Sequence, residues 1–191
     1  AATALAVVFA IARLAPPRAH VVALMPLAEN LPGPGALRPG DVLRHRNGIA
    51  SEVVNTDCEG RLVLSDVLVW AAERDPAAIV DIATLTYSTI AALGTEVTAV
   101  LGTDPRLVAD IRAAGEATGD PYWELPLWAP YRRLIDSSVA DIRNEETEDG
   151  AGVITAALFL REFVGAVPWA HLDTGGTAFL EKETDDLAAG A

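Results

Sequence analysis

The chain has 191 residues with 27 acidic against 14 basic side chains, a net charge of -13, so it lacks the basic face that a nucleic-acid binder needs to displace counterions from phosphates. Hydrophobic residues make up 51% of it, enough for the core of one ordinary domain and too many for a disordered chain. The single cysteine, Cys58, excludes an internal disulfide framework and a zinc cluster of paired thiolates; with only three histidines, any metal site must lean on carboxylates, which suit Mg, Mn or Zn.

The longest charge-free apolar run, Ala1 to Ala12, is shorter than the roughly 20 residues that cross a bilayer, so no membrane span is expected. It also lacks the positive flank of a signal peptide, and with the low cysteine content this leads to an expectation of a cytoplasmic protein. Ala1 to Leu14 reads as a mostly buried helix ended by Pro16-Pro17. The absence of an initiator Met, an opening inside a helix and a stop at Gly190-Ala191 together suggest a piece of a longer protein.

His20 to Leu27 is a short apolar run of the kind buried in a parallel sheet. After a Gly/Pro loop from Glu29 to Gly40, Val42 to Val54 reads as a hairpin turning at Asn47-Gly48, a dipeptide that favours a type I′ turn. Leu62 to Arg74 has helical spacing and ends at Asp75-Pro76. Strands are expected at Ala78–Ile82, Val97–Leu101 and Trp169–Leu172, and helices at Asp104–Thr118 and Gly150–Phe163. This alternation predicts an α/β domain with a central mixed, partly parallel sheet covered by helices on both faces, a three-layer α/β/α arrangement.

The densest polar function is Asn55-Thr56-Asp57-Cys58-Glu59-Gly60-Arg61, between a predicted strand and a predicted helix, where ligands of open α/β sheets bind. Held near-extended, this loop would turn positions 57, 59 and 61 to one side. Two adjacent carboxylates repel unless a cation neutralises them, which a divalent metal would do, leaving Arg61 to hold an anion. The same residues also fit a capping box, with Thr56 capping a helix and Glu59 reaching back; Gly60 in the first turn and an apolar periodicity that starts only at Leu62 count against it.

The stretch Arg38-Pro39-Gly40-Asp41-Val42-Leu43, followed by Glu52-Val53-Val54-Asn55-Thr56-Asp57-Cys58-Glu59-Gly60-Arg61-Leu62-Val63-Leu64, resembles the signature of the leucyl aminopeptidase (cytosol aminopeptidase) family. The resemblance extends to Glu29-Asn30, to Asp81-Ile82-Ala83-Thr84-Leu85-Thr86, to Ile154-Thr155-Ala156-Ala157 with Phe159-Leu160, and to Trp169-Ala170-His171-Leu172-Asp173. It implies a zinc-peptidase-like fold and a two-metal exopeptidase that removes amino-terminal residues from peptides, assembled as a hexamer. In that family the residues matching Asp57 and Glu59 bind two divalent ions, the one matching Arg61 holds a catalytic bicarbonate, and those matching Asn55 and the Thr84, Leu85 and Tyr87 segment line the substrate pocket.

The resemblance further implies that a lysine and two aspartates that complete the metal centre, and a second catalytic lysine, lie upstream of the position matching Ala1. Residues 1–191 then read as a single catalytic-domain portion lacking that segment, with little or no activity alone. Tyr87 stands where the family usually has glycine, which narrows the pocket or shifts the loop, unless the ring simply packs at a helix start. Cys58 replaces a usual alanine and reads as a small packed residue.

Glu145-Glu146-Thr147-Glu148-Asp149 reads as a solvated acidic loop, or as a charge favouring peptides with a basic residue after the cleaved bond. His171 and Asp173 alternate on a predicted strand, and a buried, hydrogen-bonded histidine beside Trp169 accounts for them better than a catalytic pair. The alternative from another class is a non-catalytic structural or oligomerisation module in which Asp57, Glu59 and Arg61 survive as an internal ion network.

Overall fold

The computed structural model describes residues 1–15, 20–148, 150–179, 181–183 and 190. The chain divides into two compact units, Ala1–Ala36 and Leu37–Ala191. In the first, helix α1 spans Ala2–Leu14 and ends with Ala15 in the left-handed region at φ 44°; Pro16-Pro17 lies outside the described residues. The helix forms as its composition predicts, yet none of its residues is buried, and Leu5, Phe9 and Leu14 stand exposed. Helix propensity is local, whereas burial requires a facing surface. Nor is His20–Leu27 a strand: among the described residues of this unit there is no strand for it to pair with, and a ladder needs two.

The second unit opens with a hairpin, β1 (Val42–Arg44) antiparallel to β2 (Ala50–Glu52). Its turn is where the sequence places it but is not type I′, since Asn47 keeps a negative φ and Gly48 alone is positive, at 90°. The Gly48 N–H closes the turn on the His45 carbonyl at 2.8 Å, the pattern of a longer hairpin loop with glycine at its left-handed position. A two-residue strand, β6 (Ile142–Arg143), pairs parallel with β2 and completes a three-stranded sheet.

Between these strands the chain forms α2 (Glu59–Ala72), β3 (Ile79–Ala83), the short helix α3 (Ser88–Leu93), β4 (Thr98–Gly102), α4 (Pro105–Thr118) and β5 (Tyr122–Glu124). A 3-10 segment, Ala129–Ile135, leads to β6, after which come α5 (Gly152–Arg161) and β7 (Trp169–Asp173). Asp104 caps α4 by accepting from the Arg106 and Leu107 amides at 2.8 and 2.9 Å, with Pro105 at the first helical position. The sequence misses α3, β5 and β6 because each is too short, at six, three and two residues, for its period to repeat enough to be read.

The second sheet has the order β3-β7-β4-β5, parallel at β3–β7 and β4–β5 and antiparallel at β4–β7. Alternation along β4 and β7 sorts the core into two layers. Ala99, Leu101 and Trp169 pack with α2 and α5 residues such as Leu68, Leu158 and Phe159. Val100, Ala170 and Leu172 pack with Val108 and Ile111 of α4. Helices therefore cover both faces of a mixed sheet, as expected, although the strands are shared between two sheets rather than one.

Two buried histidines take opposite electrostatic settings. His45 bonds Ser51 Oγ at 2.7 Å through Nε2 and faces Asp66 at 3.5 Å; burial lowers its pKa more than Asp66 raises it. His171 is wholly buried, and although burial lowers its pKa, Asp81 and Asp173 outweigh that and raise it to about 9. His45 therefore destabilises the fold as pH falls below its unfolded value of 6.5, because only the unfolded chain takes the proton readily. His171 contributes stability that is present in full below 6.5 and is lost as pH rises through about 9. Chemical denaturation across pH 5 to 9, in a Cys58→Ser background that removes the thiol from the titration, is expected to show a stability maximum near neutrality with a fall on the alkaline side; a flat alkaline limb would contradict the charged state of His171.

Candidate functional site

The segment Asn55–Arg61 follows β2 and enters α2, and its local geometry is helical rather than extended. Asn55, at φ -132°, accepts the Asp57 amide on its side-chain oxygen at 2.9 Å and starts a 3-10 turn over Thr56–Cys58. Glu59 is then the first residue of α2 and Arg61 the third. Strand-like alternation of 57, 59 and 61 is thus replaced by a turn and a helix start. The capping box is not formed either: Asn55 does the capping of the 3-10 turn, and Cys58, at the start of α2, makes no side-chain cap bond.

Burial separates the three charged residues. Asp57 is exposed and Glu59 half-buried, while Arg61 is 3% exposed. Glu59 Oε2, Arg61 Nε and Arg61 Nη1 are buried with no hydrogen-bond partner. An ionised carboxylate and a guanidinium left in that state cost several kcal/mol unless another group meets them. An orphaned carboxylate oxygen beside an exposed aspartate fits a hard divalent cation, and unsatisfied guanidinium N–H groups fit an anion. The donors are few: among the described residues no group of three or more His, Cys, Asp or Glu side chains is placed to hold a metal ion.

The second candidate segment lies beside the first. A Cβ on Gly60 would sit 3.4 Å from Leu85 Cδ1, so the opening turn of α2 and the loop after β3 are in close approach. In that loop Thr84 is exposed, Leu85 half-buried and Thr86 buried. Tyr87 is 80% exposed at the start of α3, which excludes the reading of a ring packed against the helix. Cys58 is half-buried; burial raises its thiol pKa, Arg61 opposes this, and Glu145, Glu146 and Asp57 add to it, so it stays a neutral thiol.

What holds the 54–58 backbone is a residue that sequence reasoning passed over. Asn144, wholly buried, accepts from the Val54 and Asn55 amides at 2.8 and 3.3 Å and donates to the Asn55 and Cys58 carbonyls at 2.7 and 3.3 Å. An asparagine just after a two-residue strand carries no sequence signal; only the parallel pairing of β6 with β2 brings it there. The neighbouring acids are solvated only in part: Glu145 and Glu146 are half-buried, whereas Glu148 is exposed as expected. Glu145 accepts from Asn55 Nδ2 at 2.7 Å, Glu146 from Thr155 Oγ1 at 3.0 Å, and Glu148 faces Arg133 at 3.5 Å. Asp149 lies outside the described residues. Asn144→Ala is expected to destabilise the chain by about 2–4 kcal/mol, because it strands several half-buried backbone groups at once. Urea denaturation measures this, and Asn144→Asp, which keeps the acceptor but loses both donated bonds, is expected to recover only part of the loss.

The chain matches the cytosol aminopeptidase family, catalytic domain, over residues 1–191. It is 50% identical over 182 residues to a probable cytosol aminopeptidase of Geobacter sulfurreducens, covering 95% of this chain and 36% of that protein. A second probable cytosol aminopeptidase, from Roseiflexus castenholzii, is 50% identical over 183 residues, covering 96% and 37%. Among solved structures, the bottromycin maturation enzyme BotP in complex with Mn superposes with a TM-score of 0.82 at 45% identity, over 86% of this chain and 37% of that one. The chain spans just over a third of the length of the curated relatives it matches. With its full length matched and half its residues shared with these relatives, the chain belongs to the cytosol aminopeptidase family, within the catalytic domain.

Proposed function

We propose that residues 1–191 carry one part of a dinuclear metal centre that removes amino-terminal residues from peptides, with Asp57 and Glu59 as metal ligands. The observation that carries this is the pairing, on the first turn of α2, of a buried unpartnered carboxylate oxygen of Glu59 with the buried unpartnered Nε and Nη1 of Arg61. Two divalent ions, Mn, Zn or Mg, would supply Lewis-acid polarisation of the scissile carbonyl and a bound water acidic enough to attack at neutral pH. The family membership and a solved relative in complex with Mn support a metal of this class.

Arg61 is the catalytic side chain of this reading. Its rigid, permanently charged fork, held in the core by the surrounding helix, is suited to a small planar anion such as bicarbonate, placed as a general base. Asn55, tied by Glu145, and Thr84, Leu85 and Tyr87, on the adjoining loop, hold the peptide. Tyr87, with its ring free, narrows the rim of that pocket. The set of two carboxylates is too small for two ions, so the remaining ligands come from a segment outside residues 1–191, and the chain alone is inactive. The working form is a homo-oligomer, a hexamer, in the cytoplasm, acting on peptides and binding neither nucleic acid nor membrane; the names of the relatives support the cytoplasm and the peptide substrates, and the acidic balance counts against nucleic acid.

Calorimetric titration of Mn into the 191-residue chain and into the full-length gene product tests the proposal, with Asp57→Ala plus Glu59→Ala as the control in each. Two ions are expected in the full-length protein, lost in the control, with Leu-p-nitroanilide hydrolysis by that protein and none by the chain alone. Arg61→Met is expected to keep both ions while kcat falls by roughly 10²–10⁴-fold. Metal binding that ignores the double substitution, in a full-length protein without hydrolysis, would make the residues an internal ion network of a structural module.

A further inference from the structure

Asp81 on β3 and His171 on β7 are register partners, and Asp81 directs both carboxylate oxygens inward. Its Oδ1 bonds His171 Nδ1 at 2.6 Å, and its Oδ2 accepts from the Trp169 indole N–H, also at 2.6 Å. The Trp169 ring stacks on the imidazole, with centroids 6.3 Å apart and planes 16° from parallel. Nδ1 is thereby fixed and the ring cannot turn. The other nitrogen, Nε2, is buried, has no hydrogen-bond partner, and faces Asp173 Oδ2 at 3.9 Å.

Asp173, in turn, is the anchor of the loop after β3. Its Oδ1 accepts from the Leu85 and Thr86 amides at 3.1 and 3.3 Å and from the Gly175 amide at 3.0 Å, and its Oδ2 accepts from Thr86 Oγ1 at 2.7 Å. Gly175 backs the same loop, since a Cβ there would collide with the Thr86 carbonyl oxygen. One carboxylate thus sets the path of residues 84–87, and the cation beside it is His171. Two carboxylates and an imidazole in the middle of a sheet are an expensive way to fill a core that apolar residues would stabilise as well or better.

We propose that His171 is a positioning residue for the loop after β3: gripped by Asp81 and Trp169 on one side, it keeps the Asp173 carboxylate charged and aimed at the Leu85 and Thr86 amides, and so places Leu85 against the first turn of α2 and sets the path of the flanking Thr84 and Tyr87. That these three residues meet substrate rests on the function proposed above; the positioning itself does not. The titratable groups facing the imidazole are Asp81 from β3 and Asp173 from its own strand, while β4 opposes it with the apolar Leu101.

Amide hydrogen exchange read residue by residue in the 191-residue chain tests this without any need for activity. In His171→Gln the Leu85 and Thr86 amides are expected to lose at least ten-fold more protection than Val100 and Leu101 of β4. A remote core variant, Val108→Ala, is expected to lower protection at all four in step. Asp81→Asn, a gentler change that keeps the shape of the carboxylate, should show the same selective loss to a smaller degree. The unsubstituted chain gives a further check: after correction for base-catalysed exchange, protection of Leu85 and Thr86 falls ahead of β4 as pH rises towards 9. Loss at Leu85 and Thr86 that only tracks β4 in every one of these would overturn the proposal. In the full-length protein the same His171→Gln change is expected to raise KM several-fold with metal content unaltered. A wild-type protein that hydrolyses no peptide would sink the aminopeptidase reading while leaving the exchange result to stand or fall alone.

Discussion

A charge carried into a protein interior must be met there by another charge or by hydrogen bonds, or the fold loses several kcal/mol. Much of the second unit is arranged around that constraint. It meets it with opposite charge at β7, where His171 lies between Asp81 and Asp173 and the Trp169 indole donates to Asp81, while His171 Nε2 makes no hydrogen bond of its own. It leaves it unmet at the start of α2, where Arg61 and Glu59 keep buried polar atoms without partners. The contrast is informative: a fold that satisfies one buried ionic cluster with two carboxylates has left the other open, at the position where family membership leads one to look for chemistry.

The two clusters are joined through the loop after β3. Asp173 holds the 85–86 amides, Leu85 lies close to Gly60, and Gly60 separates Glu59 from Arg61 on the opening turn of α2. From the other side, Asn144 holds the 54–58 backbone and Glu145 holds the Asn55 side chain. The candidate site is therefore built on two loops that are each fastened by a single buried polar residue. Loops so fastened can present exposed groups such as Asp57, Thr84 and Tyr87 in one arrangement without being buried themselves.

The apolar helix α1 shows the same constraint in its hydrophobic form. Leu5, Phe9 and Leu14 are exposed on a helix with no buried residue, an arrangement that leaves a large apolar surface facing water. The composition of that helix is written for burial. The chain spans just over a third of its relatives' length.

The sequence by itself determined the parts that depend on local chemistry or on a long enough pattern. Helices α1, α2, α4 and α5, strands β3, β4 and β7, the hairpin at Gly48 and the three-layer class were all legible, and the Asn55–Arg61 string stood out as a candidate site, because periodicity, capping residues and a specific run of polar residues survive without tertiary context. Tertiary structure alone decided whether a segment finds a partner. It left His20–Leu27 unpaired, drew β6 alongside β2 and so brought Asn144 to the loop, took Glu145 and Glu146 out of the solvent, and curled 55–61 into a turn and helix where alternation suggested a strand. The Asn144 and Glu145 placements rest on hydrogen bonds between residues about 90 positions apart, Asn144 with Val54 and Glu145 with Asn55. No window of local sequence contains both partners of such a bond, which is why only the folded chain could show them.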